Sequence, residues 1–133
     1  LANFLTECMN DYEAEDSAFC DPAKFPTSKQ IMHFIESYLT HLNSAEVYES
    51  NERQLYNSLL KWRSSSQLFW SIWAILQSGV LNNEIIDQAG RFHYLNFAQS
   101  KMSLFWNDMI KLGIASNDDC ITEKVRDMDL NFL

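Results

Sequence analysis

The stretch Gln67-Leu68-Phe69-Trp70-Ser71-Ile72-Trp73-Ala74-Ile75-Leu76-Gln77-Ser78 decides the fold class. It is apolar nearly all round, which marks a helix covered on most sides. It is also far too short and too interrupted to span a bilayer. Gly79 follows as a helix stop, because glycine accepts the left-handed conformation that closes a helix. Upstream, Ser64-Ser65-Ser66 either begins this helix or is tolerated inside a longer one that includes part of Ala45–Arg63, with Leu55, Tyr56, Leu59 and Leu60 inward.

Working outward, Ile31, Phe34, Ile35, Tyr38, Leu39 and Leu42 repeat at i, i+3, i+4, i+7, i+8 and i+11, a plain amphipathic helix. Thr27 or Ser28, just after Pro26, caps it. Phe4, Leu5, Cys8, Met9 and Tyr12 predict a first helix over Ala2–Tyr12, with Glu7 and Asp11 one turn apart. Ser17 to Pro26 carries both prolines and reads as a loop, Asn43-Ser44 as a turn. Leu81–Gly90 is a connector with room for one helical turn at Glu84–Gln88. A last helix runs from Arg91 to Leu112 with Leu95, Ala98, Met102, Phe105, Met109 and Leu112 in one stripe, and Gly113 stops it. The expectation is an all-α unit over residues 1–113 and an acidic, mobile tail over 114–133.

Composition agrees. Among 133 residues, 47% are hydrophobic and only 3 are Gly and 2 Pro, too few turn formers for a many-stranded sandwich or barrel. A net charge of −8 makes nucleic acid an improbable partner, since phosphates must be met by basic residues. Cys8, Cys20 and Cys120 are an odd number without CxxC spacing, which favours a reducing, cytoplasmic setting. The chain shows neither a secretory leader nor a transmembrane segment. It begins with Leu1 inside a running apolar pattern, so it reads as a piece of a longer protein.

No catalytic machinery is legible. The three glycines cannot build a phosphate-cradling loop. His33, His41 and His93 have no ligand spacing, and none heads a kinase-type catalytic loop. The conspicuous feature is aromatic: Trp70 and Trp73 share a helix face, as do Tyr94 and Phe97, with Phe69, Tyr12 and Phe92 nearby in the pattern. Aromatic faces beside a carboxylate such as Glu7 suit an ammonium ligand, at ~0.5–2 kcal/mol per ring. Such stripes more often simply pack, and spacing alone leaves both readings open.

Five ordered blocks carry a resemblance. They are Asn3…Glu7-Cys8-Met9-Asn10-Asp11-Tyr12; Lys24-Phe25-Pro26-Thr27…Gln30…His33-Phe34-Ile35…Tyr38-Leu39; Leu68-Phe69-Trp70-Ser71-Ile72-Trp73…Gln77; Phe92-His93-Tyr94…Phe97-Ala98…Lys101; and Lys111-Leu112-Gly113. Together they resemble the C-terminal part of choline/ethanolamine kinases. The resemblance implies the helical C-terminal lobe of a protein-kinase-like fold, whose parent transfers the γ-phosphoryl of Mg-ATP to choline or ethanolamine in phospholipid head-group synthesis. It implies that Glu7, Tyr12, Trp70, Trp73, Tyr94 and Phe97 bind the amino alcohol. Catalytic, ATP-binding and metal-binding residues would then lie upstream of Leu1, with no catalytic or metal-ligating residue in this chain. The missing N-terminal lobe becomes a partner, and a homodimer stays open. Cys8 stands where the family usually has Trp, Phe97 where it usually has Tyr, and Asn82–Gln88 reads as an insertion. The rivals are an acidic all-helical interaction module without a small-molecule site and a related kinase acting on aminoglycosides.

Overall fold

The computed structural model describes residues 1–41, 49–82 and 92–116. Four α-helices carry it: α1 (Ala2–Glu7), α2 (Ser28–His41), α3 (Glu49–Gln77) and α4 (Tyr94–Lys111). Short 3-10 turns occupy Pro22–Lys24 and Val80–Asn82. No strand occurs among the described residues, where the sole sheet-like pairing is an isolated bridge between Asn10 and Cys20. The architecture is all-α, as composition and periodicity imply.

The spine is α3, 29 residues and about 43 Å at 1.5 Å per residue. It runs straight through the triple serine, so of the two readings left open the continuous helix is the one that holds. Ser64 is buried and its Oγ donates to the Lys61 carbonyl at 2.8 Å, which lets a polar residue sit inside the helix without an orphan group. Against α3 packs α4. Ala74 and Ala98 are buried where the helices meet, and Ser71 Oγ donates to the Ala98 carbonyl at 2.9 Å. Small side chains here allow the two backbones to approach.

At the other end, Ile31 and Ile35 of α2 bury with Leu5 and Leu59. A capping box starts α2: Thr27 N–H donates to Gln30 Oε1 at 2.9 Å, and Gln30 N–H to Thr27 Oγ1 at 3.4 Å. Both expected glycine stops hold, with φ of 73° at Gly79 and 68° at Gly113. Gly113 completes a Schellman closure: its N–H reaches the Ile110 carbonyl, and Ile114 N–H reaches that of Met109, each at 3.0 Å.

Two expectations are corrected. The first helix ends at Glu7 rather than Tyr12. Met9 and Asn10 N–H groups bond three residues back, and the Met9 carbonyl then accepts from Asp21 N–H at 2.8 Å, so the chain turns to pair with the Cys20 segment. Asp11 therefore leaves the helix and meets Lys24 at 3.4 Å on the surface. On α4, the buried positions are Phe97, Ala98, Lys101, Leu104 and Asp108. Beyond Ala98 this face lies one residue, about 100°, from the apolar stripe. Two charged side chains are taken inward because each finds a polar partner there, and Leu112 is left at the surface. The turn at Asn43-Ser44, the turn at Glu84–Gln88, Gly90 and most of the 114–133 tail lie outside the described residues.

Candidate functional site

The turn after α1 brings Glu7, Asn10 and Tyr12 together. Tyr12 Oη donates to Glu7 Oε2 at 2.8 Å, and Asn10 Nδ2 donates to the same oxygen at 3.0 Å and to Tyr12 Oη at 3.1 Å. Burial raises the Tyr12 phenol well above its ordinary value, and the hydrogen bond and charge of Glu7 push the same way. Tyr12 is thus a fixed neutral donor beside a carboxylate, with 56% of its surface exposed.

From Tyr12 a continuous path of rings crosses to α3. Tyr12 lies 6.4 Å from Phe92 between centroids, Phe92 lies 5.2 Å from Tyr94 and 5.1 Å from Phe97, and Tyr94 lies 5.7 Å from Trp73. Trp73 meets Trp70 edge to face at 5.4 Å and 81°, and Phe69 adds a further edge at 5.3 Å. These tilted and edge-to-face arrangements are the ones ring quadrupoles favour. Trp70 is held in place by α1, since its Nε1–H donates to Asn3 Oδ1 at 2.5 Å. Both tryptophans are half-buried, with aromatic rather than wholly aliphatic surroundings.

All six residues singled out in the sequence are therefore linked: Glu7, Tyr12, Trp70, Trp73, Tyr94 and Phe97. They are not equivalent. Phe97 is 3% exposed, and the Lys101 ammonium stands over its ring at 5.0 Å. One face of Phe97 is already occupied by an internal cation. Phe92, absent from the sequence-derived set, is the ring that joins Tyr12 to the rest.

Sequence reasoning also missed the support underneath. Lys101 is completely buried and its Nζ donates to Asn10 Oδ1 at 3.1 Å; the Cys20 thiol donates to the same oxygen at 3.0 Å. Burial raises the Cys20 thiol above its usual value, partly offset by the nearby Lys101 charge. One amide side chain thus holds an interior cation with its oxygen and the surface carboxylate with its nitrogen. Periodicity gives no signal for Lys101, because a lysine three residues from the buried Ala98 reads as solvated. Only its place in the family-like block points to it.

The arrangement can present several aromatic surfaces and one carboxylate to a cation. It offers little for phosphate activation. Among the described residues no group of three His, Cys, Asp or Glu is placed to hold a metal ion. No described helix is long and apolar enough to cross a membrane.

Comparison with known proteins gives a consistent picture. The Choline/ethanolamine kinase family model matches residues 1–106. An ethanolamine kinase of Saccharomyces cerevisiae is 33% identical over 89% of this chain and 28% of its own length. A choline kinase of the same organism is 31% identical over 90% of the chain and 28% of its own length. A human choline/ethanolamine kinase is 31% identical over 80% of the chain and 27% of its length. The chain thus spans little more than a quarter of the length of these relatives. No solved structure matches it.

Proposed function

Because the chain belongs to the choline/ethanolamine kinase family, we propose that it forms the helical, substrate-binding part of the C-terminal lobe of an enzyme that phosphorylates choline or ethanolamine in phospholipid head-group synthesis. The parent would be cytoplasmic and would use Mg-ATP. On this reading metal and nucleotide would be held by the rest of the parent. The observation that carries this reading is the ring path Tyr12–Phe92–Tyr94–Trp73–Trp70 with Glu7 at its open end. Trp73, Tyr94 and Phe92 attract a quaternary or primary ammonium through their ring quadrupoles. Glu7, oriented by Tyr12 and Asn10, supplies the opposite charge. Held there, the amino alcohol has its hydroxyl fixed for transfer by positioning rather than by any base in this chain.

A second feature supports assembly with a larger body. Trp62, Phe69, Ile72 and Leu76 are exposed within one sector of α3, between 49% and 66% of their surface. The stripe continues onto exposed Val80 and Leu81. An apolar band of this kind marks an interaction surface, and on the proposed function the rest of the parent would cover it. The same band is what an interaction module would present, so the substrate-binding experiment has to decide between the two.

The test is made in the longer parent enzyme. Trp73→Ala raises KM for the amino alcohol at least about tenfold while KM for ATP changes less than about twofold, the loss expected for one desolvated cation–ring contact. Glu7→Gln does the same more weakly. Equal loss toward both substrates would mean that the indole only fills the core, and the interaction-module reading would stand.

A further inference from the structure

One helical turn from Trp70 at its nearest point, Gln67, a cavity of about 200 Å³ lies between α3 and α4 with Phe25 and Met9 also lining it. Its polar lining is Arg63 and Gln67 from α3 and Asn107, Asp108 and Lys111 from α4. Gln67 is 1% exposed, and neither its Nε2 nor its Oε1 has a hydrogen-bond partner. A buried amide with both ends unmet costs about 1–3 kcal/mol per group, so something is expected to meet it. The space far exceeds one water, whose share of the liquid is about 30 Å³.

The lining selects the chemistry. Asp108 is clamped by Arg63, whose Nε donates to Oδ2 at 2.7 Å while Nη2 donates to Oδ1, so the carboxylate's charge and its best acceptor positions are taken. The guanidinium itself lies over the Phe25 ring at 4.4 Å. What remains is richer in donors than acceptors: the Gln67 and Asn107 amides, each with two N–H donors and one acceptor oxygen, the Lys111 ammonium and the rest of the guanidinium. The hydroxyl of a monohydrogen oxyanion has Gln67 Oε1 to donate to. Two cations against one carboxylate also make this a locally positive spot in a chain of net charge −8. Excess donors and excess positive charge suit a ligand made mostly of acceptors.

We propose that this cavity binds a small, soluble phosphate-class oxyanion, with the Gln67 amide and the Lys111 ammonium as its principal donors. None of the ring-path residues lines it, and the proposal does not depend on the amino-alcohol reading. It is tested in the longer parent enzyme by titrating with inorganic phosphate at constant ionic strength and following side-chain amide signals by NMR. A saturable shift of the Gln67 and Asn107 side-chain amides is expected. Lys111→Met, at an exposed position, weakens it at least fivefold, and Gln67→Met abolishes it. The proposal is overturned by no saturable shift, or by equal binding in the Lys111→Met chain, which decides the matter even should Gln67→Met fail to fold. It is equally overturned by response to vesicles containing phosphatidic acid alone. A Gln67→Met chain that is more stable, beside a parent chain indifferent to phosphate, would identify the cavity as filled by water.

Discussion

Asn10 is the residue whose removal should cost most for its size. Its Oδ1 accepts from the fully buried Lys101 ammonium and from the Cys20 thiol, while its Nδ2 donates to Glu7 and Tyr12. Asn10→Ala leaves the ammonium with the Phe97 ring and a thiol as its remaining described neighbours. A hydrogen bond to a buried charge is worth about 1.5–3 kcal/mol. The bonds to Glu7 and Tyr12, near the surface, add about 0.5 kcal/mol each at the low end of the usual range. The expected loss is therefore about 3 kcal/mol, read from urea unfolding by linear extrapolation. The informative measurement is the cycle with Lys101→Met, which removes the charge itself. The double variant should recover about 2 kcal/mol relative to the sum of the single losses. Additivity within about 0.5 kcal/mol would show that the two side chains are energetically independent and that Asn10 acts only on its own turn. Asn10→Asp sharpens the test, since the new carboxylate faces Lys101 on one side and Glu7 on the other. Its stability should be restored by Glu7→Gln and not by Tyr12→Phe.

Three further outcomes are expected. The raised Tyr12 phenol means that the folded chain holds its proton where the unfolded chain loses it. Its contribution is complete below pH about 10 and declines as pH rises toward the elevated folded value, so the difference between parent and Tyr12→Phe stability curves should shrink only on the alkaline side. Cys20 is fully buried with a raised thiol while Cys8 is exposed, so mass mapping after mild alkylation should find Cys8 modified and Cys20 intact; early labelling of Cys20 would contradict its place beneath Asn10. Arg63→Met strands the Asp108 carboxylate, 4% exposed, and should cost about 2–4 kcal/mol, discounted from a fully buried pair because Arg63 reaches solvent; Arg63→Met with Asp108→Leu should recover most of it.

What the sequence disclosed and what it hid divide along physical lines. Helix identity followed from apolar spacing at α2 and from the dense run Gln67–Ser78, and both glycine stops followed from the conformation that ends a helix. The triple serine was ambiguous because serine's effect depends on whether its hydroxyl finds a carbonyl one turn back, which Ser64 does. The end of α1 was invisible for a related reason. Phe4, Leu5, Cys8, Met9 and Tyr12 keep helical spacing past Glu7, but a tertiary pairing with the Cys20 segment pulls Asn10 away. The phase of α4 was misread because Lys101 and Asp108 bury by virtue of partners distant in sequence, and no local pattern records a partner. The six candidate residues came from aromatic spacing and family likeness, whereas Phe92, Asn10 and Lys101 stood in the same blocks without a role, and their links emerged only once the chain was folded.

The internal cation bears directly on how the ring path can select its ligand. Lys101 places a positive charge against Phe97, next to Phe92, and so works against any ammonium that approaches these rings. Like charges a few ångströms apart in a partly desolvated site repel strongly. On the proposed function, a cation would therefore settle where Glu7 offsets Lys101, on the Tyr12–Phe92–Tyr94–Trp73 side, and not deep against Phe97. On the proposed function, Glu7 is then worth more than one carboxylate beside one ammonium, because it also cancels the repulsion from beneath. Lys101→Met paired with Glu7→Gln should leave amino-alcohol KM closer to the parent value than Glu7→Gln alone. If the pair is instead worse than either single change, the buried lysine is holding the rings in place and its charge is not felt at the ligand.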